Sequence, residues 1–290
     1  METLTDRFIA TLADNDDKPE VCEKVAKMVM DSPDTPERTG LMAYLYHDGI
    51  GVERDLDKCF ELAEKAAFEG DDPLGYFLLG FMCDNAETPD QEEGGPRQKY
   101  DHYDAERFYE ICAGKDSRWR DEATMWLGDY YMNSAKGGDP DVAVDYYESI
   151  ADHNSDAVAE LSDYYWNLVM PEYLDDEEWR AALFKWTERA AGLDPEEYSY
   201  RLAWLYADGI GCAQSRDKAM EYFGKAYDFG DWRGAEAIAM IWEEELEEKP
   251  GMSDEEKDIL GKRIEEWRNK ANRLREEEAR NEADPSQEED

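Results

Sequence analysis

The sequence predicts an all-α chain of about six stacked helix pairs, a solenoid with a helical cap at its N-terminal end and a long capping helix at the other. Three observations carry this. A ten-residue segment returns 160 positions later, apolar residues recur at spacings of three and four, and no stretch alternates apolar and polar residues as a strand would.

The returning segment is Met42-Ala43-Tyr44-Leu45-Tyr46-His47-Asp48-Gly49-Ile50-Gly51, matched by Leu202-Ala203-Trp204-Leu205-Tyr206-Ala207-Asp208-Gly209-Ile210-Gly211. The same shift carries Asp57-Lys58-Cys59-Phe60-Glu61 onto Asp217-Lys218-Ala219-Met220-Glu221, and Gly70-Asp71 onto Gly230-Asp231. Weaker copies of the first helix begin at Leu79, Leu127, Leu161 and Ile238, which makes six units at intervals of 34 to 48 residues, the range of two-helix repeats. The longest interval contains Ala86 to Lys99, with two prolines and two glycines, and reads as an exposed inserted loop.

Within a unit, Leu41 and Leu45 mark one helix, and Leu56, Cys59, Leu62, Ala63 and Ala66 mark the next. A small residue follows the leading apolar one in every unit: Ala43, Gly80, Gly128, Ser162, Ala203, Ala239. It predicts a notch where a neighbouring helix comes close. Asp48-Gly49 and Asp208-Gly209 supply the glycine that a helix end accepts in the left-handed region, with Ile50 and Ile210 covering the end. These residues resemble the Sel1-like repeat (SLR) family, a relative of the tetratricopeptide repeats, over Thr35 to Trp242, closely in units one and five and partially in the other four. The resemblance implies a right-handed α/α superhelix that serves as a scaffold or adaptor for protein partners, without catalytic residues. The expected organisation is an N-terminal helical cap at 1–34, the repeat solenoid at 35–250, a capping helix at 251–280 and a disordered acidic tail at 281–290.

Asp and Glu number 74 against 32 Lys and Arg, a net charge of −42, yet 41% of the 290 residues are hydrophobic and 12% aromatic. That aromatic load argues against a wholly disordered acidic chain. The final segment from Glu243 holds nineteen acidic and nine basic residues, so most of the excess lies on the repeats themselves. Binding DNA or RNA by neutralising phosphates is disfavoured, because a basic patch would have to persist in a repulsive field. The longest uncharged stretch, Pro73 to Cys83, is far short of a membrane span, and Met1 to Asp6 lacks the basic start and apolar core of a secretory signal. Cys22, Cys59, Cys83, Cys112 and Cys212 are odd in number and at least 24 positions apart, which predicts reduced core thiols in a cytoplasmic protein.

No HExxH, GxSxG, GxxxxGK or GxGxxG motif occurs, so a non-enzymatic protein with no cofactor and no metal is expected. His47, beside the Asp-Gly turn, His102 and His153 read as surface or capping histidines. Asp14-Asn15-Asp16-Asp17 has Pro19 and Val25 where a calcium loop needs Gly and Glu, and Asp175-Asp176-Glu177-Glu178 fits the acidic first turn of a helix.

The functional candidates follow from solenoid geometry, in which the first helix of each pair lines the inner groove. The position after the notch reads Tyr44, Phe81, Asp129, Asp163, Trp204 and Met240. One turn later stand His47, Met132 and Trp166, and one turn earlier Phe77 and Tyr200. Exposed aromatic and acidic residues together suit a protein or peptide segment with basic and apolar side chains, the aromatics as anchors and Asp129 and Asp163 as steering charges. The alternative is an acidic inhibitor that occupies the basic cleft of a nucleic-acid-binding partner. Near the C-terminus, Leu260, Ile264, Trp267, Ala271 and Leu274 form one apolar stripe, read as a cap over the sixth unit, with a homodimer through this helix as the alternative.

Overall fold

The computed structural model describes residues 2–13, 18–88, 100–133, 138–168, 170, 173–249 and 251–283. Asp14 to Asp17, most of the inserted loop and the tail from residue 284 therefore lie outside the described residues. The described residues contain helices and no strand.

The chain divides into two compact units, Met1–Asp152 and His153–Asp290. The first holds α1 (Leu4–Leu12), α2 (Pro19–Met30), α3 (Pro36–Asp48), α4 (Leu56–Glu64), α5 (Pro73–Asp84), α6 (His102–Ala113), α7 (Arg120–Met132) and α8 (Pro140–Ile150). The second holds α9 (Ser155–Leu168), α10 (Glu177–Leu193), α11 (Pro195–Asp208), α12 (Arg216–Asp228), α13 (Trp232–Glu248) and α14 (Asp254–Ala283). Within each unit, consecutive helices pack on one another as hairpins.

Part of the acidity is consumed by helix starts. Thr35-Pro36, Asp72-Pro73 and Asp194-Pro195 each place a capping side chain before a proline whose fixed φ suits the first helical position. Asp72 accepts from the Gly75 amide at 3.2 Å, and Asp194 from the Glu197 amide at 3.1 Å. Asp176 does the same for α10 through Glu178 and Trp179, so the Asp175–Glu178 cluster is a helix start.

The notches are filled as their size requires. A Cβ on Gly80 would stand 3.0 Å from the buried Tyr109 ring of α6, and one on Gly128 would run into the ring of Tyr147 on α8. Where the notch is Ser162 rather than glycine, the neighbour shrinks to Thr187, and the two hydroxyls meet at 3.3 Å. Gly49 and Gly209 close α3 and α11 at φ 72° and 69°, and the Ile50 and Ile210 amides donate back to the Leu45 and Leu205 carbonyls.

Helix α14 lies against its own chain and runs slightly longer than expected. Leu260, Ile264 and Ala271 are buried, and Leu260 and Ile264 pack with Trp267 against Ala239 and Trp242 of α13, while Trp267 meets the Tyr227 ring edge-on at 5.6 Å. The stripe, read as a cap with a homodimer as the alternative, is spent inside the chain, which leaves the homodimer without this apolar face. The helix also continues three residues past Arg280 to Ala283.

Candidate functional site

In the first unit the candidates join a run of aromatic rings. Tyr44 on α3 meets Phe8 of α1 at 5.7 Å and Trp119, the residue just before α7, at 5.9 Å. Trp119 lies 5.7 Å from Phe77 on α5, Phe77 reaches Tyr109 at 5.6 Å, and Tyr109 stacks on Trp126 at 4.3 Å. Trp126 stacks in turn on Tyr130 and donates its indole N–H to Asp84 at 3.1 Å. Tyr44 and Phe77 are half-buried links of this run, whereas Phe81 shows 36% of its surface. Met132 is half-buried at the end of α7.

His47 is not a surface histidine. It is 8% exposed, its Nδ1 faces Asp48, its Nε2 lies 3.0 Å from Glu87, and its ring stands edge-on to Phe81 at 5.1 Å. Arg54 completes the cluster by donating from Nε to the His47 carbonyl at 2.9 Å and from its terminal nitrogen to Glu87 at 2.8 Å. The bond to Asp48, helped by Glu87 and resisted by burial, holds the imidazole above its ordinary pKa. Burial works against the charge of Asp48, but the bond and charge of His47, with Tyr44 and Arg54, keep that carboxyl below its ordinary range.

In the second unit, Asp163 of α9 is ion-paired with Arg201 of α11, whose guanidinium also lies over the Trp166 ring at 5.4 Å. Tyr200 and Trp204 each stand 5.6 Å from Phe223 of α12, and Arg233 covers the Tyr200 ring at 4.7 Å. Below Trp204, between α11, α12 and α13, a recess of about 120 Å³ opens, floored by Ala207, Ala219 and Phe223 and rimmed by Asp208, Met240 and Glu244.

The two acids expected to steer a partner are already engaged. Asp129 accepts the buried Tyr147 hydroxyl at 2.6 Å, and the charge of Asp163 is paired by Arg201. Asp163 is thereby offset by a cation, whereas Asp129, bonded to a neutral hydroxyl, keeps its charge. Sequence reasoning missed Trp119 and Trp126. Both lie off the register that aligns the first helices, Trp119 at the cap position before α7 and Trp126 one residue ahead of the leading apolar position. Cys59, Cys83 and Cys112 are free and buried, and burial pushes each thiol up to about 12. The described residues contain no group of three His, Cys, Asp or Glu placed to hold a metal ion, and no helix among them is long and apolar enough to cross a membrane.

Helix hairpins stacked in sequence order, with glycine or another small residue at each notch and left-handed glycine ends, define an all-α solenoid of helix-pair repeats. The chain carries Sel1 repeats: the family model for this repeat matches residues 40–71, 121–155 and 197–231. These are the first, third and fifth units. A crystal structure of a Sel1 repeat protein from Oxalobacter formigenes aligns with 92% of this chain and 96% of its own at 19% identity, with a TM-score of 0.51. The protein c5321, a protective antigen of uropathogenic Escherichia coli strains displaying an SLR fold, aligns over 94% of this chain at 18% identity and a TM-score of 0.54. The chain spans 59% of c5321. At these identities the two structures speak for the fold. No curated protein matches the sequence. Sel1 repeats act in general as scaffolds for protein interaction.

Proposed function

We propose that this chain is a non-catalytic cytoplasmic adaptor that holds a protein segment with apolar and basic side chains against the first helices of its repeats. The supporting observation is the exposure, on those helices, of Phe81 at 36% and Met240 at 46% in a chain of net charge −42. Apolar anchors and an acidic surround select for a segment that carries both chemistries. In this reading α1 and α2 cap one end, α14 caps the other, and the three buried thiols fit a reducing compartment.

The test begins with the protein that co-purifies from the native host, identified by mass spectrometry and remeasured as a purified partner by surface plasmon resonance. Tyr44→Ala, Phe81→Ala and Trp204→Ala, each checked for an unchanged helical melting profile, should speed dissociation about tenfold or more, since buried aromatic anchors typically contribute ~2 kcal/mol or more. The charge of −42 favours a second reading, the acidic inhibitor in a basic cleft. Raising salt from 0.1 to 0.5 M separates them: anchored binding largely survives, whereas mimicry of nucleic acid dissolves as charges are screened. Binding unchanged in all three variants but abolished by charge reversal on α4 and α12 would falsify the groove.

A further inference from the structure

The repeats at α3–α4 and α11–α12 pair residue with residue: Tyr44 with Trp204, His47 with Ala207, Asp48 with Asp208, Arg54 with Gln214. Their scaffolds agree in detail. Arg54 donates to the His47 carbonyl at 2.9 Å, and Gln214 donates to the Ala207 carbonyl at 2.7 Å. The side chain that this loop holds in place differs. In the first repeat a cation-capable ring fills the hollow at the helix end, between Asp48, Glu87 and Phe81. In the fifth, the side chain at that place stops at the methyl of Ala207, and the hollow is the recess of about 120 Å³.

The walls of the recess correspond to those around His47. Asp208 repeats Asp48, Trp204 replaces Tyr44, and Met240 stands on the following helix where Phe81 stands. An acid is again present at the rim, here Glu244 of α13, where the first repeat has Glu87 from the chain beyond the end of α5. The one basic wall residue, Arg216, is already committed: it donates to the Ile241 carbonyl at 3.2 Å and lies 3.8 Å from Glu244, 3.8 Å from Glu245 and 3.9 Å from Glu248. Glu245 is also paired with Lys249 at 2.6 Å, so in the recess itself Asp208 and Glu244 face the single cation Arg216, which leaves the rim negative. Ligand pockets for drug-sized molecules run to about 300–1,000 Å³. This one takes a single side chain.

We propose that the recess bounded by Trp204, Ala207, Asp208, Met240 and Glu244 is an anchor subsite for a flat cationic side chain, guanidinium or imidazolium, of the partner segment. The chain itself supplies the precedent, since His47 occupies the equivalent hollow from within. A guanidinium entering from outside meets the Trp204 ring on one side and the Asp208 and Glu244 carboxylates at the rim, the combination that favours arginine over a neutral isostere. This deepens the groove reading and rests on it.

The experiment uses the full chain and two fluorescein-labelled dodecapeptides on a Gly-Ser frame, one with a central Leu-Arg pair and one with Leu-citrulline, the uncharged isostere. Fluorescence anisotropy at 0.15 M salt is expected to show the arginine peptide binding about tenfold tighter than the citrulline peptide. Ala207→Leu fills the recess without charge and Ala207→His fills it as His47 does. Both should retain the wild-type circular dichroism and reduce the arginine preference to under about twofold. Equal binding of the two peptides to the wild type overturns the proposal, as does no measurable binding of either. A loss in Ala207→His without one in Ala207→Leu also overturns it, because the effect is then one of charge. If both variants bind as the wild type does while Phe81→Ala weakens binding, the subsite falls and the groove reading stands. If Phe81→Ala is also without effect, both fall.

Discussion

The first and fifth repeats were built on one skeleton and then used differently. In both, the helix end passes through a left-handed glycine, the amide five residues on from the last buried leucine returns to that leucine's carbonyl, and a lysine of the second helix lies over a tyrosine of the first. Lys58 is 4.0 Å from the Tyr46 ring centre and Lys218 is 4.5 Å from that of Tyr206. The second glycine of each turn is the close contact. A Cβ on Gly51 would enter the Cys22 carbonyl of α2, and one on Gly211 the Arg180 carbonyl of α10. Four residues further along those helices, Ala26 and Phe184 are the next obstruction in each case. Helix α2 thus stands to α3 as α10 stands to α11, although the α1–α2 pair carries no recognisable repeat motif. The packing contact is shared although the residue pattern is not.

The same comparison locates a one-residue insertion. Gly75 of α5 packs where a Cβ would meet Ala63 and Ala67, and Gly234 of α13 packs on Phe223 and Tyr227 in the same way. The second helices keep the offset of 160, but the following first helices are offset by 159. The difference is absorbed by the π-helical turn Lys65–Glu69 after α4, the usual structural trace of a single inserted residue. As a result Asp72, not Asp71, is the counterpart of Asp231, and Asp71 with φ 53° takes the place of Gly230 with φ 96°. The sequence alignment of Gly70-Asp71 with Gly230-Asp231 is corrected by one position.

The largest expected effect tests the shared contact. Gly51→Ala and Gly211→Ala each combine a left-handed backbone, costing about 1–2 kcal/mol in an L residue, with overpacking against a helix backbone, about 1–3 kcal/mol more. Each should destabilise its own unit by about 2–5 kcal/mol in thermal melts. If the two variants differ by more than a factor of two, α2 and α10 are not equivalent supports.

How much of this was visible beforehand follows from where the determinants sit. The Asp-Gly-Ile-Gly turns and the notches are local, with the residues that define them within a few positions of one another. The burial of His47 is not local, because it depends on Glu87, forty residues away and beyond the end of α5. Trp119 was hidden for a similar reason: its neighbours Tyr44 and Phe77 come from two other helices. The π turn looks like ordinary amphipathic helix in the sequence, since inserting one residue shifts the apolar pattern without breaking it.

A middle-sized effect sharpens the difference between the repeats. His47→Gln keeps shape and removes the charge, and the loss should be about 1–3 kcal/mol, the range for buried hydrogen bonds to charged groups. The pKa of His47 is raised in the folded state, so its stabilisation is complete below about pH 6.5 and is lost as pH rises through the folded value. That of Asp48 is lowered, so its share is present above about pH 4 and lost as pH falls through the folded value. The gap between wild type and variant in urea melts should therefore be widest at pH 5–6 and narrow by pH 8–9. A constant gap over that range means that the ring is held neutral. Ala207→Gln in the fifth repeat should show no such pH dependence.

The smallest effect has the opposite sign and concerns a position where the repeats differ without any contact at stake. Gly224 lies inside α12, where its counterpart in α4 is Glu64, whose carboxylate accepts the Tyr100 hydroxyl at 3.0 Å. A Cβ at Gly224 would meet nothing within 4 Å, and its φ is not in the left-handed region, so the folded state gains no benefit from glycine there. The unfolded chain does lose conformational freedom when alanine replaces it. Gly224→Ala should thus stabilise the second unit by about 0.5–1 kcal/mol, raising its melting temperature by a few degrees, with partner binding unaltered. Should the variant be less stable than the wild type, α12 must flex at this point in a way that α4 does not. The two repeats would then differ in mobility as well as in what fills the hollow at the helix end.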